Sequence, residues 1–217
     1  MVASARSTAN QNDKLVIQAR IDDNDPLGED YYKERRREAW QVIRGPRRRL
    51  SELWNEMAVG EYDIFTMCAD DVRFRTRGWD DEVRAAFARW PDRIGMVYGD
   101  DGVHGPRLAT LSFVSKQWID AVGFYLPDTM TGDFVDNWLH GLAASIDRVT
   151  YLPQVYIEHL HPVVGKAQMD DTYAYRLTGE GPRMAQDAWN DVLRSGMPGE
   201  AIRKLKGAMS APSQPEE

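Results

Sequence analysis

Tyr62-Asp63-Ile64-Phe65-Thr66-Met67-Cys68 is a short apolar run that closes, one residue further on, at the acid pair Asp70-Asp71. A run of this length bounded by turn formers reads as a buried strand. The same pattern occurs twice more: Leu15-Val16-Ile17-Gln18-Ala19 leads to Asp22-Asp23-Asn24-Asp25-Pro26, and Ile94-Gly95-Met96-Val97-Tyr98 leads to Asp100-Asp101. Between the runs the composition turns helical, over residues 31–43, 47–59 and 80–90, and Leu50, Leu53, Trp54 and Met57 recur at helical spacing. Gly45-Pro46 and Gly60 punctuate the first two stretches. Strand and helix in alternation predict an α/β fold, a mainly parallel sheet flanked by helices. The carboxyl ends of such strands share one rim, where ligands sit. Three acid pairs on one rim repel one another unless a cation intervenes, so the pattern also predicts a metal.

The remaining chain fits the same plan. Residues 108–114 read as a strand and 116–122 as a short helix, and Thr131-Gly132-Asp133-Phe134-Val135-Asp136-Asn137-Trp138-Leu139 opens a helix reaching about residue 147. A strand over 155–161 carries His159 and His161, which project from one face because side chains alternate with period two. Residues 1–11 read as the end of a helix, and 183–206 as a helix interrupted at Gly196-Met197-Pro198-Gly199. The expected organisation is one domain over 1–182, a helical extension over 183–207 and a tail over 208–217 of disordered composition.

Composition narrows the class. The 217 residues are 42% hydrophobic and 28% charged, which excludes disorder, collagen and coiled coil as overall descriptions. A formal charge of -7 argues against a general nucleic-acid coat protein. Cys68 stands alone, so there is neither an internal disulfide nor a cysteine cluster for zinc, and an intracellular setting is expected. No apolar run approaches the roughly 20 residues that cross a bilayer, and no signal-peptide core opens the chain; a cytoplasmic protein without a membrane span is expected. Against this acidic background, Lys33, Arg35, Arg36, Arg37, Arg44, Arg47, Arg48 and Arg49 place eight cations in 17 residues. The plain reading is a solvated helical face paired with Glu34 and Glu38, and the sharper one is contact with phosphate, either of a donor or of a nucleic acid.

The stretch from Asp63 through Asp70-Asp71-Val72-Arg73-Phe74-Arg75-Thr76-Arg77-Gly78-Trp79-Asp80 resembles the metal-binding core of nucleotide-sugar-dependent glycosyltransferases of the GT-A fold, family-two type. Arg20-Ile21-Asp22-Asp23-Asn24-Asp25-Pro26 is similar to that fold's acidic segment near nucleobase and ribose, and Glu158-His159-Leu160-His161-Pro162 to its C-terminal histidine segment. The resemblance spans residues 14–175. It departs from the family at two places. The Asp-any-Asp metal motif has Ala69 at its first position, leaving Asp70 and Asp71. The family's chains also begin with a central strand ahead of the helix matched here by residues 1–11. That first strand is expected to be absent from this frame, through truncation or because another chain supplies it, leaving its neighbours with unpaired backbone groups.

What the resemblance implies is a Rossmann-like GT-A sheet and an inverting transferase using Mn²⁺ or Mg²⁺. The donor would be a nucleotide diphosphate sugar, UDP first among them, and the acceptor an unspecified hydroxyl, with a modified DNA base as one candidate. Asp71 with His159 or His161 would hold the ion, a hard-oxygen and imidazole set. Asp22, Asp23 and Asp70 would lie near base and ribose, and Trp79 would shape the acceptor mouth. Asp136 resembles the family's helix-opening carboxylate and would act as base, with Asp133 in reserve; the bland alternative is helix capping, which suits Asp133 better. Asp100, Asp101 and His104 are left outside the core site, either facing the acceptor or forming a solvated hairpin-like loop. Two rival functions remain: a catalytically silent nucleotide-sugar-binding or scaffold module of this fold, and a nucleotidyltransferase, which would carry an early Gly-rich phosphate loop that is not seen.

Overall fold

The computed structural model describes residues 1–25, 41–169 and 171–210. The described chain begins with helix α1 (Val2–Thr8), followed by two parallel strands, β1 (Gln18–Asp22) and β2 (Gln41–Gly45), paired from Gln18 with Gln41 to Asp22 with Gly45. Helix α2 (Leu50–Met57) leads to β3 (Ile64–Thr66) and β4 (Val72–Phe74), then α3 (Trp79–Phe87), β5 (Met96–Asp100), β6 (Ser112–Ser115) and α4 (Lys116–Val122). Helix α5 (Val135–Ser145), the long strand β7 (Val149–His159) and helices α6 (Asp171–Leu177), α7 (Gly181–Arg194) and α8 (Met197–Met209) complete it.

Five strands form one sheet in the order β3-β6-β5-β7-β4. The fold is mixed α/β, and the expected mainly parallel sheet is corrected: only β5 and β7 run parallel here, the other three pairs being antiparallel. Parallel neighbours need a helical crossover. Between β5 and β6 lies a loop with one short 3₁₀ turn and no α-helix, so β6 folds back on β5; the chain from β6 to β7 contains α4 and α5, and that crossover yields the one parallel pair. The helix expected over 31–43 is corrected at its end, where Gln41–Gly45 is strand; residues 26–40, including Lys33, Arg35, Arg36 and Arg37, lie outside the described residues. So do residues 211–217 of the expected tail.

Period-two alternation on the central strands feeds two cores. Met96, Tyr98 and Val114 point into a cluster with Trp118, Trp138, Leu139 and Leu205 under α4, α5 and α8. Val97 and Phe113 point the other way, to Phe74, Trp79, Val83 and Phe87 under α1 and α3. The result is a sheet between two helical layers. Trp118 and Trp138 are fully enclosed, as the usual burial of large aromatics leads one to expect. Helices α7 and α8 do not form a free-standing extension: Val192, Ala201 and Leu205 belong to the first core. At Gly99 a Cβ would lie 2.3 Å from the Val155 carbonyl oxygen, so glycine is required where β7 bulges against β5.

The N-terminal helix is fastened by acids in the first turn of α3. The buried Asp80 carboxylate accepts hydrogen bonds from the backbone N–H groups of Asn10 (2.8 Å) and Gln11 (2.9 Å) and pairs with Arg84. Burial by itself would raise its pKa, but these donors outweigh burial and hold it below the ordinary carboxylate range. A depressed folded-state pKa contributes stability that is present above the unfolded value of about 3.9 and is lost as pH falls through the folded value. Asp80→Ala is expected to cost about 2–3 kcal/mol in urea unfolding at pH 7, the range for hydrogen bonds to a charged group, with the deficit shrinking below about pH 4.

Candidate functional site

Strand β4 pairs antiparallel with the end of β7, Val72 opposite His159 and Phe74 opposite Ile157. One further bond, from Leu160 N–H to the Asp71 carbonyl at 2.8 Å, carries the ladder past the strand ends. Asp71 is thereby set beside His159, with the ring Nε2 3.2 Å from Asp71 Oδ2. From the other side, the Asp101 carbonyl accepts the His159 N–H at 3.0 Å. Asp101 is itself locked. Its buried carboxylate accepts from the N–H groups of Val103 and His104, from the Thr110 hydroxyl and from the His104 ring, which together override burial and hold its pKa far below the usual range. The Asp100–His104 loop is thus a structural brace for the strand that bears His159, more than the solvated loop expected.

Of the expected metal trio, Asp71 meets His159 and His161 stands beside His159. His159 and His161 stand edge to face at 5.0 Å between ring centroids, although β7 ends at His159 and His161 caps the 3₁₀ turn that follows. Their ring nitrogens separate them chemically. His161 Nδ1 accepts the Val163 N–H at 3.1 Å, which places that ring's proton on Nε2 when it is neutral. His159 presents Nε2 to Asp71, and its Nδ1 is buried with no hydrogen-bond partner, as is Asp71 Oδ1. A carboxylate oxygen and an imidazole nitrogen are donor types that a Mn²⁺-like ion takes, but Nδ1 lies across the ring from the bond to Asp71, so these two atoms do not converge on one point. Among the described residues no three His, Cys, Asp or Glu side chains form a ready-made metal cage.

Helix α6 closes the site, and neither of its contributing side chains was singled out from sequence. The Tyr173 hydroxyl donates to Asp71 Oδ2 at 2.6 Å, and its ring meets His161 edge to face at 4.9 Å. One turn on, Arg176 holds Asp133 with Nε at 2.9 Å and a second, shorter bond from Nη2. The i, i+3 spacing that puts both on one helix face was legible, but nothing local says which face meets the acids. Burial would raise the Asp71 pKa, yet the bonds from His159 and Tyr173 prevail and keep it below the ordinary range. His161 moves down, mainly through burial and then through the neighbouring His159.

Asp136 behaves in the opposite way. It lies in the first turn of α5 and is half-buried. Burial pushes its pKa up to about 7, opposed by His159 and Arg176 and assisted by Asp101 and Asp133. Neither acid is the N-cap of α5, which is Phe134 in the left-handed region at φ 65°; Asp136 does stand in the first turn, where the helix dipole favours an acid, and Asp133 is engaged by Arg176. A non-glycine residue there costs on the order of 1–3 kcal/mol and tends to mark functional sites.

Other predicted site residues lie apart from this group. Trp79 does not shape a mouth: it is 4% exposed, packs on Phe74 and Phe113 and donates its indole N–H to the Ala5 carbonyl, which is core work on the opposite face of the sheet. Asp70 is exposed in the turn before β4. Asp22 and Asp23 end β1, where they face Arg20 (3.8 Å) and Arg44 (3.4 Å). Compared with models of known families, with curated proteins and with solved structures, the chain matches none.

Because the folded-state pKa of Asp136 is raised, its stabilising effect is present below the unfolded value of about 3.9 and is lost as pH rises through about 7. Asp136→Asn removes that dependence. It is expected to be more stable than the parent at pH 8 by about 1 kcal/mol or more, roughly 2–4 °C in Tm, with the gain vanishing below pH 4. A calorimetric pH series checks this.

Proposed function

We propose that this chain is a metal-dependent, inverting glycosyltransferase that moves a sugar from a nucleotide diphosphate donor to an acceptor hydroxyl. The observation that supports this reading is the Asp71–His159 pair, each partner with an unsatisfied buried atom, within electrostatic reach of the half-buried Asp136, whose pKa is raised to about 7. Few protein ligands are no obstacle, since Mg²⁺-type ions are commonly held by one or two carboxylates plus substrate phosphates. Asp71 and His159 are the residues that would hold Mn²⁺ or Mg²⁺, exchanging the hydrogen bond between them for the ion, which would offset the charge of a leaving diphosphate. Asp22, Asp23 and Asp70 are the candidates for base and ribose.

Asp136 is the base. A carboxyl titrating near 7 is half ionised at neutral pH, and in that form it is a far better proton acceptor than an ordinary aspartate. The acceptor oxygen attacks the anomeric carbon as its proton passes to Asp136. The bond from that carbon to the diphosphate oxygen breaks, its electron pair leaves with the nucleoside diphosphate, and attack from the opposite side inverts the centre. Arg176, paired with Asp133, opposes the upward push of burial on the Asp136 pKa.

A DNA acceptor draws less support. The described members of the cationic run are largely paired with acids of their own surface, Arg44 with Asp23, Arg48 with Glu56 and Arg49 with Glu52, which favours a solvated, self-neutralised face. Among the described residues no helix is long and apolar enough to cross a membrane. The silent-module reading has one observation in its favour: Tyr173 and Arg176 already occupy the carboxylates of Asp71 and Asp133.

Mixing the purified protein with Mn²⁺ and a panel of nucleotide sugars is expected to release nucleoside diphosphate. Asp71→Ala should abolish release, and Asp136→Asn should lower kcat by about 10²–10⁴, the usual contribution of general-base catalysis. In the parent the rate should rise with pH through about 7, as Asp136 ionises. Tight nucleotide-sugar binding without release in any variant would establish the silent module instead.

A further inference from the structure

Beside the acidic pair lies a cavity of about 360 Å³, within the size range of small-molecule sites. Tyr173, His161, Arg176 and Asp133 stand on its reaction side, and its outer wall is built from Phe134, Leu177, Pro182 and Ala185. Phe134 is the strained residue at the head of α5, two positions before Asp136, and its ring stacks on Trp189 of α7 at 5.7 Å and 4° between planes. This rigid aromatic platform holds a flat apolar wall at the head of α5, the helix whose first turn carries Asp136. Arg176 and Asp133, both lining the cavity, are joined in an ion pair, so they bring it no net charge. The helices that form the wall carry more exposed apolar surface, with Leu177 51% and Met184 50% exposed, and Tyr175 touching Met184.

The geometry points to this cavity as the seat of an amphipathic acceptor, an alcohol whose reacting hydroxyl lies at the polar end and whose aliphatic or aromatic portion lies against Phe134, Leu177 and Pro182. The assignment of the ligand as acceptor rests on the transferase reading; its amphipathic character rests on the wall alone. A free sugar would leave the apolar wall of Phe134, Leu177 and Pro182 uncovered, and a polyanion suits the site poorly because the one guanidinium at the cavity is already neutralised by a carboxylate. Apolar burial supplies the affinity, and the few polar groups supply orientation.

The probe is octyl β-D-glucoside below its micelle concentration, with glucose as the control lacking the apolar portion, titrated calorimetrically into the full chain without donor or metal. The octyl compound is expected to bind and glucose to give no measurable heat. Two exposed wall positions provide variants that should fold normally, as circular dichroism would verify. Leu177→Asp places a charge on the wall and Gln186→Trp fills the cavity, and each is expected to weaken octyl glucoside binding at least tenfold, whereas Leu177→Met keeps it. Equal binding of glucose, no binding of the octyl compound, or affinity unchanged in both Leu177→Asp and Gln186→Trp would overturn the assignment. Since neither donor nor metal is present, octyl binding alongside a failure to release nucleoside diphosphate would sink the transferase reading and leave the amphipathic site standing.

Discussion

The pairing of β4 with the end of β7 is the constraint on which the site depends. Strands β3 and β4 lie at opposite edges of the sheet, so the short link between them must pass over the ends of the intervening strands. Asp70 and Asp71 travel on that link. Register brings the two close: with Val72 opposite His159, Asp71 stands just past the strand end, and because it has left the ladder its side chain can reach the His159 ring, which regular alternation would put on the opposite face. A slip of the register would carry His159 along the strand and away from Asp71. The ladder bond through Leu160 and the brace from Asp101 protect against such a slip from both sides.

Electrostatic differentiation follows from that placement. Asp71 and Asp136 share a neighbourhood yet are driven in opposite directions, one downward by donors that reach it and the other upward by burial. Two carboxyl groups of the same chemical type thus take different protonation states near neutrality, a division of labour that acid–base chemistry commonly exploits. Arg176 moderates both acids of α5, bonding Asp133 directly and opposing the rise at Asp136.

Much of this was written locally in the sequence. Apolar runs ending in acid pairs located β1, β3 and β5 to within a few residues, and the period of two on the last strand put His159 and His161 on one side. Sheet direction was not legible, because alternation of strand and helix says how many crossovers are available but not which edge each link returns to. The strand at Gln41–Gly45 escaped notice since its Val42-Ile43 core is short and the charged residues before it carry helical composition. Trp79 was misread for a different reason: proximity in sequence to Asp71 suggested proximity to its chemistry, whereas α3 turns the indole into the core beneath α1. Tyr173 reaches Asp71 across 102 residues of chain, a contact that no local pattern encodes.

Helix α8 closes the core that α4 and α5 began. Leu205 is fully enclosed in the cluster that contains Trp118, and Lys204 reaches back to the Val122 carbonyl at 3.3 Å. During synthesis the ribosome must therefore emit nearly all of residues 1–209 before Trp118 finds its last neighbours. Until then a broad greasy face stays open to solvent or to a chaperone, and nascent chains stalled short of α8 would be the ones most prone to stick together.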